Sequence, residues 1–385
     1  MVDPLQTLDS KKNPVEELDF SYQNIPLNWD LLIQKKIGEG GMGAIYQGVI
    51  VGDGTTKKVV VKVSKRPQEH IQDLRTEVHL ATQLKNNYIA TTYPFKIYDE
   101  KGMIIMDFIE GHTLDQVRKK HNALGLRFPE KFAGLVGWLA AEALHYAHNV
   151  PLQNLEGKLV CGVLHRDITT RNIMIETEQG NTVIIDYGLG ILRTDSAQTI
   201  GQISGTLGFV SPQIFKGEGA QVQDDMYGLC MTLYTLISGD NPIVPEKSKA
   251  TPAEIMRNYQ KEIPSLTQIM PHTNPQFSQI LQRGTAIQRE ERYPDAATLY
   301  TDLKDFLFTQ GFGPIRHSLR SYMELIYHPE FPHYLDNIRG QIAPNPSVPF
   351  LKKLEEVKVQ TKDYMQKDDQ LALETREAPG YILIG

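Results

Sequence analysis

The chain has 385 residues, of which 41% are hydrophobic and 22% charged, and its formal net charge is −6. This composition is typical of a globular protein with one large or two ordinary domains, and the absence of a basic stripe argues against nucleic acid as a partner. Cys161 and Cys230 stand in apolar surroundings without CxxC spacing. We therefore expect no disulfide framework and no zinc site, and a reducing cytoplasmic location. No apolar run reaches the roughly 18 residues of a membrane span, and the N-terminus lacks a signal peptide's apolar core.

The first third of the chain predicts a small antiparallel sheet. After a polar arm at residues 1–28, three short β-branched segments alternate with Gly-rich turns: LLIQKKIG, AIYQGVIV and KKVVVKVS. Such segments predict consecutive antiparallel strands. Helical spacing follows in IQDLRTEVHLATQL, and FKIYDEKGMIIMDFI then predicts a strand, a turn at residues 99–102 and a second strand.

Beyond residue 128 the pattern becomes mostly helical. FAGLVGWLAAEALHYAH is apolar on nearly all sides and predicts a buried helix, and DDMYGLCMTLYTLISG predicts another. The change predicts an α+β protein with two lobes that meet near residues 107–113. The smaller lobe covers about 29–107 and the larger about 112–308. Residues 309–385 form an appended tail of unknown role, which we expect to pack against the body.

A Gly-rich stretch lies between the first two predicted strands. Gly38, Gly40 and Gly43 fit the pattern G-x-G-x-x-G. Glycines let the backbone approach a phosphate and offer N–H groups to it. A dinucleotide fingerprint needs a helix after the glycines, and here a strand follows, which argues against that class. A Gly-rich hairpin without a ligand remains the alternative.

Lys62 stands in the middle of the apolar segment VVVKV. A lysine in such a strand is costly unless its charge is paired, although an edge-strand lysine that reaches solvent is the plainer alternative. Glu77 in the following predicted helix is the natural counter-charge, and Glu69 lies nearer in sequence at the entry to that helix. A Lys–Glu pair would hold the ammonium where it could contact two phosphates.

Two later stretches, VLHRDITTRNIMI and VIIDYGLG, carry oxygen-bearing side chains beside apolar runs. Asp167 can accept a proton from a substrate hydroxyl, and Asn172 and Asp186 offer oxygens to a hard cation such as Mg²⁺, which usually shares its ligands with phosphates. Each of these residues taken singly could equally be a turn residue.

Taken in order, these residues resemble the protein-kinase signature set. Further matches follow in GTLGFVSPQ, in Asp225 at the start of an apolar helix and in Arg292. The GEGGMG loop and the insertion PLQNLEGKLVCG are similar to bacterial eukaryotic-like Ser/Thr kinases, and the resemblance covers about residues 31–308. It implies the bilobal kinase fold, with one main helix in the sheet lobe. It also implies ATP with Mg²⁺, or alternatively Mn²⁺, and transfer of the γ-phosphoryl group to Ser/Thr hydroxyls of protein substrates.

The resemblance also implies roles for individual residues. Asp167 is the catalytic base, Lys62 binds the α/β-phosphates with Glu77 as its partner, and Asn172 and Asp186 bind the metal. Met106 corresponds to the gatekeeper, and Asp107 to Ile109 to the hinge. For Val60 and Met174, ordinary core packing is an equally good description. The implied nucleotide-binding residues are Ile37, Gly38, Glu39, Gly40, Gly41, Met42, Gly43, Ile45, Val60, Lys62, Met106, Asp107, Ile109 and Met174.

The sequence departs from the family pattern in places. Thr169 stands where Ser/Thr kinases carry a lysine, and the TTRN sequence is closer to a tyrosine-kinase loop in which Arg171 could take over part of that role. Tyrosine or dual specificity therefore stays open, although Thr206 favours Ser/Thr acceptors. Tyr187 replaces a phenylalanine, so its hydroxyl needs a partner. Gln213 replaces the glutamate expected to pair with Arg292, which predicts a modest loss of stability.

Three functional classes remain: an active protein kinase, a kinase-like nucleotide-binding scaffold (a pseudokinase), and a small-molecule kinase of the same fold. The complete polar set favours an active enzyme, and the GT…SP segment favours a protein substrate. Arg166 is the kind of residue that pairs with a phosphate on the activation segment. We therefore expect autophosphorylation at Thr194, Ser196 or Thr199, which would involve self-association of the chain.

Overall fold

The computed structural model describes residues 30–40, 43–52, 54–64, 71–94, 96–98, 101–187, 191–192, 205–246, 250–309 and 313–338. The predicted arm at residues 1–28 lies outside these residues. So do Gly41, Met42, Glu69 and the three candidate phosphorylation sites Thr194, Ser196 and Thr199. The described chain divides into two compact units. One comprises the residues up to Arg75 with Thr92–Phe108, and the other comprises Thr76–Thr91 with the residues from Ile109 onward.

The smaller unit contains the predicted antiparallel sheet. Its strand order is β1-β2-β3-β5-β4, and every neighbouring pair is antiparallel. The β-branched runs account for three of these strands, since branched side chains pack well on a pleated surface. The strands are β1 (Asp30–Gly40), β2 (Gly43–Gly52), β3 (Thr55–Ser64), β4 (Lys96–Tyr98) and β5 (Lys101–Asp107).

The turn between β4 and β5 is shorter than predicted. Lys101 pairs with Tyr98 and Gly102 pairs with Ile97, so both residues belong to the ladder rather than to the turn. The prediction of a turn across residues 99–102 was wrong on these two positions. Antiparallel pairing close to the reversal satisfies backbone groups that a longer turn would leave to solvent.

The larger unit is mostly helical, as predicted from the change of pattern. It also holds short strands, which pair as β11-β10-β6, β12-β9 and β7-β8. Helix α1 (Ile71–Ala81) crosses the division between the two units. The elements from there to the middle of the chain are β6 (Gly111–Thr113), α2 (Leu114–Leu124), α3 (Glu130–Asn149), β7 (Pro151–Gln153), β8 (Leu159–Cys161), β9 (Val163–Leu164), β10 (Ile173–Glu176), β11 (Thr182–Ile184) and β12 (Ile191–Leu192).

The second half of the larger unit consists of helices. One short 3₁₀ turn, Arg289–Glu291, lies between them. The helices are α4 (Pro212–Phe215), α5 (Val222–Ser238), α6 (Pro252–Asn258), α7 (Leu266–Ile269), α8 (Pro275–Gly284), α9 (Ala296–Phe308), α10 (Arg316–Ile326) and α11 (Phe331–Ile338). None of the helices among the described residues combines the length and apolarity that crossing a bilayer requires.

Helix α3 is the centre of the large core, which explains why it is apolar on nearly all sides. Two of its glycines let neighbouring helices approach closely. A Cβ on Gly134 would lie 2.7 Å from a ring atom of Phe306 on α9, and a Cβ on Gly137 would lie 2.5 Å from Leu233 on α5. Alanine at either position would have to displace these neighbours. The two predicted buried helices, α3 and α5, are confirmed.

The chain beyond residue 309 packs against the body over the part that the structure describes. Apolar residues of α10 and α11 belong to the same core cluster as α3. The predicted packing of the tail is therefore confirmed for residues 313–338. The buried apolar residues of these two helices are Leu319, Tyr322, Met323, Leu325, Ile326, Phe331 and Leu335.

Candidate active site

Asp167 lies in the loop between β9 and β10, and both of its carboxylate oxygens are held in place. Oδ1 accepts the backbone N–H of Thr206 at 2.9 Å, and Oδ2 accepts Nδ2 of Asn172 at 2.9 Å. The residue is buried, so these donors stand in for water around the charge. Each oxygen keeps lone-pair capacity, which a general base needs. Thr206, the residue whose presence favours Ser/Thr acceptors, thus contacts Asp167 through its main chain.

Asn172 is oriented so that its side-chain oxygen is available. Its Nδ2 donates to the carbonyl oxygen of Asp167 at 2.8 Å as well as to the carboxylate. With both amide hydrogens used, Oδ1 is the atom that can ligate a cation. The backbone carbonyl of Asn172 accepts the N–H of Ile185 at 2.9 Å, which ties this loop to the residue preceding Asp186. An amide oxygen and a carboxylate are hard donors that suit Mg²⁺.

Arg166 and Asp186 are the only non-glycine residues of the described chain with positive φ, at 69° and 67°. This left-handed region is unfavourable for residues with a Cβ. A residue keeps such a conformation only where the surrounding structure enforces it. Arg166 directly precedes Asp167, and Asp186 is the second proposed metal ligand. Both strained positions therefore lie in the segments that the sequence marked as functional.

Asp225, in the first turn of α5, holds the strained backbone. Its carboxylate accepts the N–H of His165 at 2.9 Å, the N–H of Arg166 at 2.8 Å and Nε2 of His148 at 2.8 Å. Burial is the largest single influence on the pKa of Asp225 and acts to raise it, but the hydrogen bond from His148 and the interactions with His148 and His165 together keep the pKa below its ordinary value. His148 was missed by sequence reasoning. The available signal was a histidine in the last turn of an apolar helix.

His165 connects the loop to the segment that follows β11. Its Nε2 donates to the carbonyl of Ile185 at 3.2 Å, and its Nδ1 accepts the N–H of Asp167 at 3.3 Å. The ring lies edge-on to Tyr187, with 4.4 Å between centroids. Burial raises the pKa of Tyr187 well above its ordinary value. The partner predicted for the Tyr187 hydroxyl is not found within the described part of the chain.

Thr169, at the position of the family's lysine, is a buried structural residue. Its side chain is 1% exposed, and its Oγ1 accepts the N–H of Arg171 at 3.1 Å. The carbonyl of the adjacent Thr170 accepts the N–H of Asp115 at 2.7 Å, which anchors the loop to the start of α2. The threonines therefore shape the loop. Arg171 is exposed and is the cation that this stretch presents to solvent.

Gly205 lets the segment around Thr206 lie directly against the loop. Its φ is +105°, and a Cβ there would lie 2.8 Å from the carbonyl of Arg166 and 3.5 Å from Oδ1 of Asp167. The Thr206 N–H reaches Asp167 because no side chain intervenes. Sequence reasoning had treated this glycine only as part of a motif. A small cavity next to Asp167 is bordered on its far side by Phe209, Val210 and Ser211.

The Gly-rich stretch forms the end of the β1–β2 hairpin, with Gly40 paired to Gly43. At Gly43, φ is +148° and a Cβ would lie 1.8 Å from the carbonyl of Val63, so only glycine fits there. Gly38 would tolerate a Cβ, with its nearest neighbour, a side-chain atom of Ile45, at 3.8 Å. Ile37 is 44% exposed, which leaves it available for a ligand.

Four predicted nucleotide-binding residues share one face of the small sheet. Ile45 pairs with Lys62 and Val60 pairs with Met106. Because directly paired residues point to the same side and residues two apart repeat it, Ile45, Val60, Lys62 and Met106 lie on one face. Lys62 is only 8% exposed.

Asp107 points to the other face of the sheet, since it pairs with the core residue Val59. Its carboxylate forms an ion pair with Lys57 at 2.6 Å and accepts the hydroxyl of Tyr93 at 2.8 Å. The backbone of Asp107 is therefore the part that remains for a ligand, as expected of a hinge residue.

The remaining predicted residues lie on the expected elements. Glu39 is paired with Ala44 in the β1–β2 hairpin, and Glu77 lies half-buried on α1. In the larger unit, Ile109 is half-buried, and Met174 lies on β10 opposite Thr113 of β6.

A charged cluster centres on Asp224 in the first turn of α5, a residue that sequence reasoning missed. Its carboxylate accepts the hydroxyl of Ser211 at 2.7 Å and pairs with Arg289 at 3.0 Å and Arg292 at 3.2 Å. Arg292 also donates to Oε1 of Gln213, as the predicted charge-to-amide pair requires. Asp224 supplies the negative charge that Gln213 lacks.

Comparison with known families identifies the chain. Residues 31–305 match the protein kinase domain family. This match covers well over half of the sequence, and the arrangement around Asp167, Asn172, Asp186 and Asp225 agrees with it. The chain belongs to the protein kinase family, and the predicted α+β kinase fold is confirmed.

Similar proteins from bacteria carry kinase names. The probable serine/threonine-protein kinase PknB of Lactococcus lactis is 24% identical over 70% of this chain and 41% of the relative, and the protein of that name in Bifidobacterium longum is 27% identical over 70% and 39%. The chain thus spans about two fifths of the length of these relatives. The crystal structure of a point mutant of the Mycobacterium tuberculosis PknI kinase domain superposes with a TM-score of 0.53 at 18% identity, covering 71% of this chain and 94% of that one. This likeness shows the fold.

Proposed function

We propose that the protein is an ATP-dependent kinase that transfers the γ-phosphoryl group to Ser and Thr hydroxyls of protein substrates. The observation that carries the proposal is the fixed environment of Asp167. One carboxylate oxygen is held by Asn172 and the other by the Thr206 amide, while Asn172 keeps a free amide oxygen for a cation. The naming of the bacterial relatives as serine/threonine-protein kinases supports the same reaction.

In the proposed reaction, Asp167 positions the acceptor hydroxyl and takes its proton as the oxygen attacks the γ-phosphorus. The bond from phosphorus to the bridging oxygen of ADP breaks in the same step, and ADP leaves with the electron pair. Asn172 and Asp186 would hold Mg²⁺, which neutralises charge on the phosphates when bound. Mn²⁺ fits the same oxygen donors. Preorganised donors around Asp167 keep the loop from rearranging during transfer.

The nucleotide contacts are proposed from the small sheet and the segment that follows it. Lys62, with Glu77 as counter-charge, would bind the α/β-phosphates. The glycines of the β1–β2 hairpin would offer backbone N–H groups to the phosphates. Ile45, Val60 and Met174 would contact the adenine, with Met106 beside it. Main-chain groups of Asp107 and Ile109 would form hydrogen bonds to its edge.

Ser/Thr acceptors are proposed over tyrosine on the basis of Thr206. Its main-chain bond to Asp167 brings the segment around Thr206 into contact with the proposed base, as the resemblance to Ser/Thr kinases implies. Thr169 provides no cation beside the phosphoryl group, so Arg171 is the residue proposed to contribute charge there. We further propose autophosphorylation at Thr194, Ser196 or Thr199, with Arg166 pairing to the phosphate, in a self-associated state.

The experiment compares phosphate incorporation from labelled ATP by the wild type with that by two variants, Asp167→Asn and Lys62→Met. Removing the base or the phosphate-binding charge should lower transfer at least about 100-fold, while far-UV circular dichroism stays unchanged. Asp305→Asn, at an exposed position of α9, is the matched control and should retain full activity. Equal incorporation by wild type and both variants would overturn the proposal. Phosphoamino-acid analysis of the product separates Ser/Thr from Tyr acceptors.

A further inference from the structure

The family match ends at residue 305, but the folded body continues to residue 338. We call residues 313–338, which contain α10 and α11, the C-terminal extension. Two of its aromatic side chains contact the body of the protein: Tyr322 lies on α10, and Tyr327 directly follows it. Both contact elements that lead directly out of the hinge segment, namely β6 and α2.

Tyr327 stacks on a histidine of β6. The rings of Tyr327 and His112 lie 3.7 Å apart between centroids and only 7° from parallel. Nζ of Lys120 on α2 lies 5.7 Å from the Tyr327 centroid. Burial lowers the pKa of His112, so the ring is neutral near pH 7. Tyr327 therefore contacts β6 and α2 at once.

β6 is a short edge strand. It has three residues and lies at the edge of a three-stranded sheet, bonded on one side to β10. In that pairing, His112 opposes Ile175, and the next pair joins Thr113 to Met174. A three-residue edge strand makes few ladder bonds, so its position depends on what packs against it. The Tyr327 ring provides that packing, one residue pair away from Met174.

Tyr322 fixes α10 to α2 through a buried hydrogen bond. Nδ1 of His121 lies 2.7 Å from the carbonyl of Val117, and Nε2 lies 2.6 Å from the hydroxyl of Tyr322. A carbonyl can only accept, so Nδ1 carries the proton and Nε2 accepts from the tyrosine. Phe128 lies edge-on to both rings. The bond is directional, so it sets where α10 lies along α2.

The start of the extension is also seated on the sheet that contains β6. Arg316 donates to Oδ1 of Asn181 at 2.6 Å, in the turn between β10 and β11. At the neighbouring Gly180, with φ +70°, a Cβ would lie 2.1 Å from the carbonyl of Arg316. A side chain at residue 180 would thus push α10 away. The extension therefore contacts the turn of the β10–β11 hairpin as well as the edge strand.

We infer that the C-terminal extension is a positioning element of the nucleotide site, with Tyr327 as its positioning residue. Tyr327 acts through His112 to hold β6 in place. The position of β6 in turn sets its pairing with β10, which carries Met174, and the path of the chain between Ile109 and β6. The inference rests on the proposed kinase activity. The competing description, that the two helices merely enlarge the core, predicts that losses at Tyr327 lower stability without changing nucleotide affinity.

The test uses the full chain and measures KM for ATP and kcat separately. Tyr327→Ala should raise KM for ATP about tenfold, because small displacements of a binding element cost affinity, with a smaller change in kcat. Tyr327→Phe keeps the stacked ring and should stay close to wild type. Tyr334→Ala removes the same side chain from α11, where its ring contacts Phe331, and is the matched control. His112→Ala, which removes the other ring of the stack, should reproduce the rise.

The inference is overturned if Tyr327→Ala and Tyr334→Ala lower the unfolding midpoint alike while KM for ATP stays at the wild-type value in both. Should Tyr327→Ala fail to fold, the pair His112→Ala and His112→Phe decides in the same way. Absence of phosphate transfer by the wild type would remove the proposed function and this inference together. Normal wild-type transfer with an unchanged KM in the variants would remove the inference alone.

Discussion

Asp225 contributes to the candidate active site by holding the backbone of the catalytic loop. It accepts three hydrogen bonds, from His165, Arg166 and His148, and Arg166, which directly precedes the proposed base Asp167, has a strained backbone. We predict that Asp225→Asn destabilises the larger unit by about 3 kcal/mol, since the buried network loses its negative charge and one of its two acceptor oxygens. It should also lower kcat roughly tenfold or more, because Arg166 can relax and shift Asp167.

The pH dependence of this effect has a defined sign. The pKa of Asp225 is lower in the folded chain than its ordinary value of 3.8. A carboxylate with a lowered pKa contributes stability above the unfolded pKa and loses it as pH falls through the folded one. The stability difference between wild type and Asp225→Asn should therefore be constant above about pH 5 and shrink below about pH 4. Urea unfolding followed across this range measures it, and a difference that grows in acid would contradict the assignment.

The polar residues of the candidate site could be predicted because each lies in a short motif in which only one residue type suits the chemistry. The distant residues that hold them in place could not be predicted. His148 lies 77 positions from Asp225, and Arg292 lies 68 positions from Asp224, so no local pattern joins them. Gln213 shows the consequence. Its lost charge predicts reduced stability, which stays a prediction, while in the structure Arg292 pairs with Asp224, a carboxylate that it shares with Arg289. Long-range pairing of charges is a property of the packed core, which a single sequence does not display.

Among the elements, the β1–β2 hairpin has a position, Gly43, where only glycine fits. We predict that Gly43→Ala raises KM for ATP at least about tenfold, because a Cβ 1.8 Å from the Val63 carbonyl forces the hairpin end away from β3. Gly54→Ala is the matched control. It also has a positive φ, at +75°, but no atom lies within 4 Å of its Cβ, so it should cost about 1 kcal/mol of stability and little affinity. Equal KM values for the two variants would contradict the prediction.

The sequence predicted helices and strands correctly where the hydrophobic pattern was long. The predictions failed where pairing between strands set the end of an element. The β-branched segments gave β1 to β3, and the apolar runs gave α3 and α5, because side-chain burial in each spans many residues. The predicted turn before β5 included two residues that belong to the strand, because ladder bonds extend β5 beyond what composition indicates. Helices α10 and α11 were not assigned beforehand. Histidines and prolines occur in and around them, and the contact with the core is what identifies them as folded helices.

At the scale of the whole molecule, the His121–Tyr322 bond links the family-matched body to the C-terminal extension, and it is sensitive to acid. Burial lowers the pKa of His121 from 6.5 to about 4, with Lys120 acting in the same direction. A histidine with a lowered folded pKa contributes stability above the unfolded pKa, and that stability is lost as pH falls from about 6.5 to about 4. The loss should reach about 3 kcal/mol, since each pKa unit is worth about 1.4 kcal/mol. We predict that the unfolding midpoint of the larger unit falls over this range.

The measurement uses the fluorescence of Trp138, which packs between Tyr300 and Phe308 in the large core. Replacing Trp29, the other tryptophan of the chain, by Phe leaves Trp138 as the single reporter. In the double variant His121→Phe with Tyr322→Phe, both partners of the bond are removed, so no polar group of the pair is left buried alone. This variant should lose most of the pH dependence between about pH 6.5 and pH 4, whereas His317→Gln, at an exposed position of α10, should keep it. If the double variant retains the wild-type slope, acid acts elsewhere, and the bond between α2 and α10 does not couple the extension to the body.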